Sequence, residues 1–317
     1  MNDQTLAIGI DFGGTSVKIG VLERGTVIEE APRIDTQVFE SARPLIERIN
    51  ETCDELRSRH SGIEAIGVGM PGFVDFPTGM VHNLTNVKGW QRIYLKKELN
   101  ELSNLPVTVE NDANCMAYAE WKRGAGRGMQ NLVAVTLGTG VGGGFVVENR
   151  LVRGANYVAG ELGQTSIDYQ GPAGAYENRG SLEDYVGNQQ ITDLAFSRYQ
   201  ETDQPRDRSE CTPAHLSELA AKGDTLALEI WDTLARMLST SLMNCCWILN
   251  PEAIIIGGGV AQAGAVLFDP LEKHLRGQLG DPFKENLRIL PARFSNEAGI
   301  VGAATLALEE AGFNVDS

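Results

Sequence analysis

Asp11, Gly13, Gly14, Thr15 and Lys18 crowd one turn between two apolar runs, and Gly138, Thr139 and Gly140 crowd a second turn far along the chain. Glycines let a backbone come close to a phosphate oxygen and take positive φ. Successive N–H groups of such a turn form a concave anion site. Thr15 and Lys18 reach toward phosphate, and Asp11 is suited to hold Mg²⁺ through water. Between the two turns lies Asn111-Asp112, just after the apolar residues 107–109. A helix opening there keeps Asp112 ionised, so that it accepts a proton from an attacking hydroxyl. Together these residues read as phosphoryl transfer from a nucleoside triphosphate to an alcohol.

Each part has a plainer reading. The first turn is also an ordinary hairpin, and the second a glycine-packed strand. Asp is a good helix cap, which alone accounts for Asp112. The second turn runs into the apolar residues 145–147 and not into a helix. That excludes the dinucleotide fingerprint.

Other candidates lie in irregular, glycine-rich surroundings. Glu161, Gln164 and Glu183 offer carboxylates and an amide that suit sugar hydroxyls, or else are solvated surface groups. Gly72 and Thr85 belong to a polar loop over 70–90, which either closes over a ligand or anchors itself through Trp90. The four histidines are scattered, and the five cysteines have neither metal nor disulfide spacing. Reduced thiols and a cytoplasmic location are expected.

The elements that position these groups alternate. Strands are expected over 5–11, 16–22, 27–30, 63–69, 106–110, 132–137, 141–148 and 253–256. Leu45, Ile49, Cys53 and Leu56 mark a helix between Ser41 and Ser61, and a short helix covers 92–102. Another helix opens near Asp112. A long one over 225–249 carries Trp231, Leu234, Leu238, Leu242, Cys245 and Leu249 on one face, and Pro251 ends it. Helices also follow near Ala265 and over 300–308. The class is α/β. Strand–glycine turn–strand recurs in the second half as a weak internal repeat. At 317 residues the chain exceeds one ordinary core, so two lobes are expected. A net charge of −15 argues against a basic nucleic-acid surface. No run is long and apolar enough to suggest a membrane span.

Taken together, the segments resemble the ROK family (repressors, open reading frames and kinases) of sugar kinases. Residues 6–20 resemble its first phosphate loop and 137–144 its second. Residues 111–114 followed by 124–128 resemble its catalytic segment, 251–259 its adenosine-side motif, and 296–303 its final helix. The resemblance implies a two-lobed actin/hexokinase-like ATPase fold, ribonuclease H-like in its core. One lobe would comprise 1–112 plus a C-terminal helix over 298–317, and the other 113–297, the two closing on the sugar.

The resemblance also implies roles. Asp112 is the general base. Gly72, Thr85, Asn111, Asp112, Glu161, Gln164 and Glu183 bind sugar. Asp11, Gly13, Gly14, Thr15, Lys18, Gly138, Thr139, Gly140 and Gly258 bind ATP with Mg²⁺. A glucokinase acting in sugar metabolism is the leading expectation, with fructose, N-acetylglucosamine, N-acetylmannosamine or allose as other acceptors. A homodimer is expected. A sugar-sensing repressor of the same family would carry a DNA-binding module before the first loop, and none fits here. Many members hold structural zinc through one His and three Cys. The corresponding positions are Gln164, Gly174, Tyr176 and Ser181, so no zinc is expected.

Overall fold

The computed structural model describes residues 5–84 and 87–315. The chain divides into two compact units, one of residues 1–128, 151–160 and 296–317, the other of residues 129–150 and 161–295. Among the described residues no helix is long and apolar enough to cross a membrane.

The first unit opens with β1 (Leu6–Phe12) and β2 (Ser16–Glu23), an antiparallel pair whose register sets Asp11 opposite Lys18. β3 (Thr26–Glu30) and β4 (Ile34–Asp35) both pair with β2. Helix α1 (Ala42–Arg59) buries Leu45, Ile49, Cys53 and Leu56, the stripe its spacing predicts. β5 (Ile63–Met70) then runs parallel to β1. A small separate sheet of β6 (Val74–Asp75), β7 (Met80–Asn83) and β8 (Gln91–Tyr94) follows. Helix α2 (Leu95–Ser103), β9 (Val107–Asn111) and α3 (Asp112–Arg123) complete this stretch. The main sheet has the order β3-β2-β1-β5-β9. β1 and β5 are apolar along most of their length because both of their faces are covered.

The second unit repeats that plan. β10 (Leu132–Leu137) and β11 (Val141–Val147) are antiparallel, with Leu137 opposite Val141 across the glycine turn. After β12 (Arg150–Leu151) come α4 (Glu183–Val186), α5 (Asn188–Gln200), α6 (Pro213–Ala221) and α7 (Thr225–Leu249). β13 (Ala253–Gly257), α8 (Ala265–Gly277), α9 (Asp281–Lys284) and β14 (Arg288–Pro291) follow. The sheet order β12-β11-β10-β13-β14 again puts a hairpin beside parallel strands. The internal repeat in the sequence is therefore a repeat of sheet topology. On α7, Asp224 caps the start by accepting from the Ala227 N–H, and Asn250 ends it in the left-handed conformation before Pro251. Trp231, Leu234, Leu238, Leu242 and Cys245 on this helix are buried in the second core.

Helix α10 (Ala298–Glu310) belongs to the first unit and packs on β1, β5 and α3. The backbones meet there without side chains between them. A Cβ on Gly67 of β5 would run into the Ala303 carbonyl, and one on Gly302 would run into the Cys115 carbonyl. The alanines and glycines of this helix are what let it lie so close.

Two local readings need correction. Residues 92–102 do not form one helix: β8 takes residues up to Tyr94, with Arg92 at φ 49°, and α2 begins at Leu95. The loop over 70–90 contains the β6–β7 hairpin. Strands this short carry too little alternation to stand out.

Candidate active site

In the first unit the β1–β2 turn gathers Asp11, Gly13, Gly14, Thr15 and Lys18. Lys18 Nζ lies 2.9 Å from Asp11 Oδ2 and donates to the Asn296 carbonyl at 3.1 Å. The cross-strand register brings the two charges together. Gly13 N–H donates to the Ser16 carbonyl at 2.9 Å, closing the turn. Thr36 ties its outer side through the Gly14 and Thr15 carbonyls.

Positive φ is not what these turns need. Among the described residues, Gly13, Gly14, Gly138 and Gly140 are absent from the left-handed region. At Gly140 space is the reason instead. A Cβ on Gly140 would strike the Glu183 carboxylate, and the backbone at Gly138 faces open space.

Asn111 and Asp112 stand where β9 becomes α3. The helix cap is Asn111 and not Asp112, because Asn111 Oδ1 accepts the Asn114 N–H at 3.1 Å. Asp112 is the first residue of the helix, and its Oδ1 accepts the Ala113 N–H at 2.8 Å. A carboxylate at that end is favoured in its charged form by the helix dipole. Asn111 Nδ2 donates to the Gly72 carbonyl at 3.1 Å, which brings Gly72 beside it. Thr85 lies outside the described residues.

In the second unit the β10–β11 turn is closed by Gly138 N–H donating to the Gly140 carbonyl at 2.9 Å. The first N–H of α5, from Asn188, donates to the Gly138 carbonyl at 2.9 Å, so the positive end of that helix adjoins the turn. Thr139 is exposed at its tip. Gly258, at φ 87°, sits so close to Leu137 that a Cβ would overlap its backbone. Glu183, the first residue of α4, accepts the Val141 N–H through Oε2 at 2.9 Å. Gln164 Nε2 lies 3.4 Å from the other oxygen of Glu183. The Glu161 carboxyl is raised above the usual range, first by the protein crowded around it and then by the Glu183 charge. Glu161 still keeps a sizeable exposed area, which limits the shift. Within this unit, then, Glu161, Gln164, Glu183 and the glycine turn form one polar group.

Asn178 is a member that sequence reasoning missed, since an Asn in a polar loop gives no signal. Its Nδ2 donates to the Gln164 carbonyl at 2.9 Å and to Ser181 Oγ at 2.7 Å, and its own carbonyl accepts the Gly174 N–H at 2.7 Å. It thereby joins Gln164, Gly174 and Ser181, three of the four positions that the family resemblance sets against zinc ligands. An amide, a glycine, a phenol and a hydroxyl do not make a zinc donor set. For Mg²⁺ the fit is different. Mg²⁺ is held by one or two carboxylates, waters and substrate phosphates, and the Asp11 carboxylate meets that need. All five cysteines are buried and free, and burial pushes the Cys53 and Cys246 thiols to about 12. They are poor nucleophiles.

The profile of the ROK family matches residues 7–310. The chain is 33% identical over 314 residues to a glucokinase of Thermotoga maritima, covering 96% of this chain and 98% of that protein. It is 32% identical over 314 residues to a glucokinase of Halalkalibacterium halodurans, covering 96% and 95%. Among solved structures, it matches a ROK family glucokinase from Streptomyces griseus in complex with glucose and AMPPNP. The TM-score is 0.82 at 31% identity, covering 96% of this chain and 99% of that one. The fold is the α/β fold of the actin/hexokinase-like ATPases. With the profile spanning both units from β1 to α10, the chain belongs to the ROK family.

Proposed function

We propose that this protein is an ATP-dependent hexose kinase, with glucose as the preferred acceptor. The observation that carries the reading is the Asn111–Asp112 turn. Asn111 takes the capping role, and Asp112 follows it as the first residue of α3, with its carboxylate at the positive end of that helix. Similarity to the glucokinases above supports glucose, and Asn111, Glu161, Gln164 and Glu183 supply donors and acceptors for its hydroxyls. Asp112 accepts the proton of the attacking hydroxyl. The Gly13–Gly14 and Gly138–Gly140 turns hold phosphate oxygens through N–H groups, and Gly258 lies by the nucleoside. Mg²⁺, when bound, neutralises charge on the phosphates, with Asp11 as its protein carboxylate. Positioning and electrostatics supply most of the catalysis in such transfers.

The test is ADP release measured over glucose, fructose, mannose, allose, N-acetylglucosamine and N-acetylmannosamine, on wild type and Asp112→Asn. Glucose should give the highest kcat/KM. Asp112→Asn should lose roughly 10²–10⁴-fold in kcat, the usual cost of removing a general base, while still binding glucose. Turnover near wild type in that variant would remove Asp112 from the chemistry. Another sugar leading the panel would move the acceptor assignment.

A further inference from the structure

Glu110, the residue before Asn111, is only 1% exposed. A charge at that depth needs partners. Oε1 accepts the Asn111 N–H at 2.9 Å and Asn114 Nδ2 at 3.1 Å, and Oε2 accepts Arg153 Nε at 2.6 Å. Arg153 comes from residues 151–160, the stretch of later sequence that belongs to the first unit. Its guanidinium carbon lies 3.7 Å from the centre of the Phe76 ring. The cation is thus held between a buried carboxylate and an aromatic face.

Both oxygens of Glu110 are used in a telling way. Oε1 binds the two residues that form the cap of α3, Asn111 and Asn114. Asn111 in turn fixes the Gly72 carbonyl, and Phe76 lies four residues beyond Gly72. One connected set of contacts therefore runs from Arg153 through Glu110 to Asn111, Asn114 and Gly72. Apolar residues would hold the same strand end at less desolvation cost, but they would not orient an Asn amide.

We infer that Glu110 and Arg153 are positioning residues that set the Asn111–Asp112 turn for sugar binding and proton removal. Neither need touch the sugar. The inference rests on the kinase reading for its consequence, and on the geometry alone for the positioning itself.

Three variants test it. Arg153→Met leaves Glu110 buried without its cation. Glu110→Gln/Arg153→Met removes both charges and, with them, the Arg153 contact that orients residue 110 toward Asn111 and Asn114. Arg153→Lys keeps a cation without the planar fork. Arg153→Met should lose on the order of 10²-fold in kcat/KM for the sugar, as small misplacements of reacting groups do, with the KM for ATP within about twofold of wild type. The double variant should regain the wild-type melting temperature but not the lost sugar kcat/KM, and Arg153→Lys should fall between. In the free proteins, amide hydrogen exchange at Asn111 and Asn114 should quicken in Arg153→Met more than elsewhere in β9. Recovery of both stability and turnover in the double variant would overturn the inference, as would equal losses for sugar and ATP. If the wild type phosphorylates no sugar, the kinase reading fails by itself. The exchange measurement then still decides, and unchanged protection at Asn111 and Asn114 sinks the positioning role. If Arg153→Met does not fold, the double variant carries both readouts.

Discussion

Glu183 Oε2 accepts the Val141 N–H at 2.9 Å, which fixes one carboxylate against the strand that leaves the second glycine turn. Its other oxygen is the one that faces Gln164. One side chain therefore joins the proposed sugar ligands to the proposed phosphate turn within the second unit.

Glu183→Ala and Gln164→Ala should consequently differ in kind. Glu183→Ala removes hydrogen bonds to a charged group, each worth roughly 1.5–3 kcal/mol, and frees the turn. The KM values for glucose and for ATP should both rise, by about tenfold or more. Gln164→Ala removes a neutral hydrogen bond worth about 0.5–1.5 kcal/mol. It should raise the KM for glucose about two- to tenfold and leave ATP alone. Steady-state kinetics with each substrate varied in turn makes the comparison. An ATP effect confined to Gln164→Ala would reverse the assignment.

The contact of α10 with the first sheet makes a stability prediction. Gly67 and Gly302 have no room for a methyl group, because backbone carbonyls occupy the space. Gly302→Ala, in a helix, would ordinarily be favourable by about 0.8–1.0 kcal/mol. Here it should destabilise by about 1–3 kcal/mol or more through overpacking. Denaturant unfolding monitored by circular dichroism reads the difference, and a stabilised variant would mean that α10 shifts freely on α3.

Much of this fold was legible because its signals are local. The α7 stripe and its stop before Pro251, the strands around both glycine turns, and the Asn111–Asp112 handover all follow from spacing and turn chemistry. What was not legible depends on distant residues. Nothing near Lys18 announces that its ammonium binds Asp11 and the Asn296 carbonyl, and nothing near Glu110 announces Arg153. The glycines were read for close approach to phosphate and for positive φ, and nothing near Gly140 announces that Glu183 lies against it. Helix α5 escaped notice because only Ile191, Thr192, Ala195 and Tyr199 of its residues are buried, a weak stripe.

Glu161 gives a pH-dependent prediction. Its carboxyl is raised from an ordinary value near 4.5 by crowding and by Glu183. Between the unfolded value and the raised folded one, the folded chain holds more of this proton than the unfolded chain. Stability from this group therefore falls as pH rises through that window, and the ionised group is unfavourable above it. Glu161→Gln should melt at or above the wild-type temperature near pH 7, and the difference should vanish near pH 4. Thermal unfolding of the sugar-free proteins at both values checks this. A variant less stable at neutral pH would place Glu161 in a favourable contact instead.

The last prediction concerns the loop that carries Gln164. In it, Asn178 ties Gln164, Gly174 and Ser181 to one centre through hydrogen bonds. The protein should thus contain no stoichiometric zinc by elemental analysis, and a strong chelator should leave the melting temperature of the nucleotide-free protein unchanged. Asn178→Ala removes two side-chain bonds, each worth about 0.5–1.5 kcal/mol. It should lower stability by about 1–3 kcal/mol and raise the KM for glucose with little change for ATP. Asn178→Asp should fare no better, because a carboxylate cannot donate to the Gln164 carbonyl. Gly174→Cys should not create a metal site. Its Cβ would lie 2.7 Å from both Asn178 Oδ1 and Ser181 Oγ, so the side chain would displace the network before it could bind anything. One zinc per chain in the pure protein, or an Asn178→Ala variant indistinguishable from wild type, would show that the loop is closed by something other than this amide.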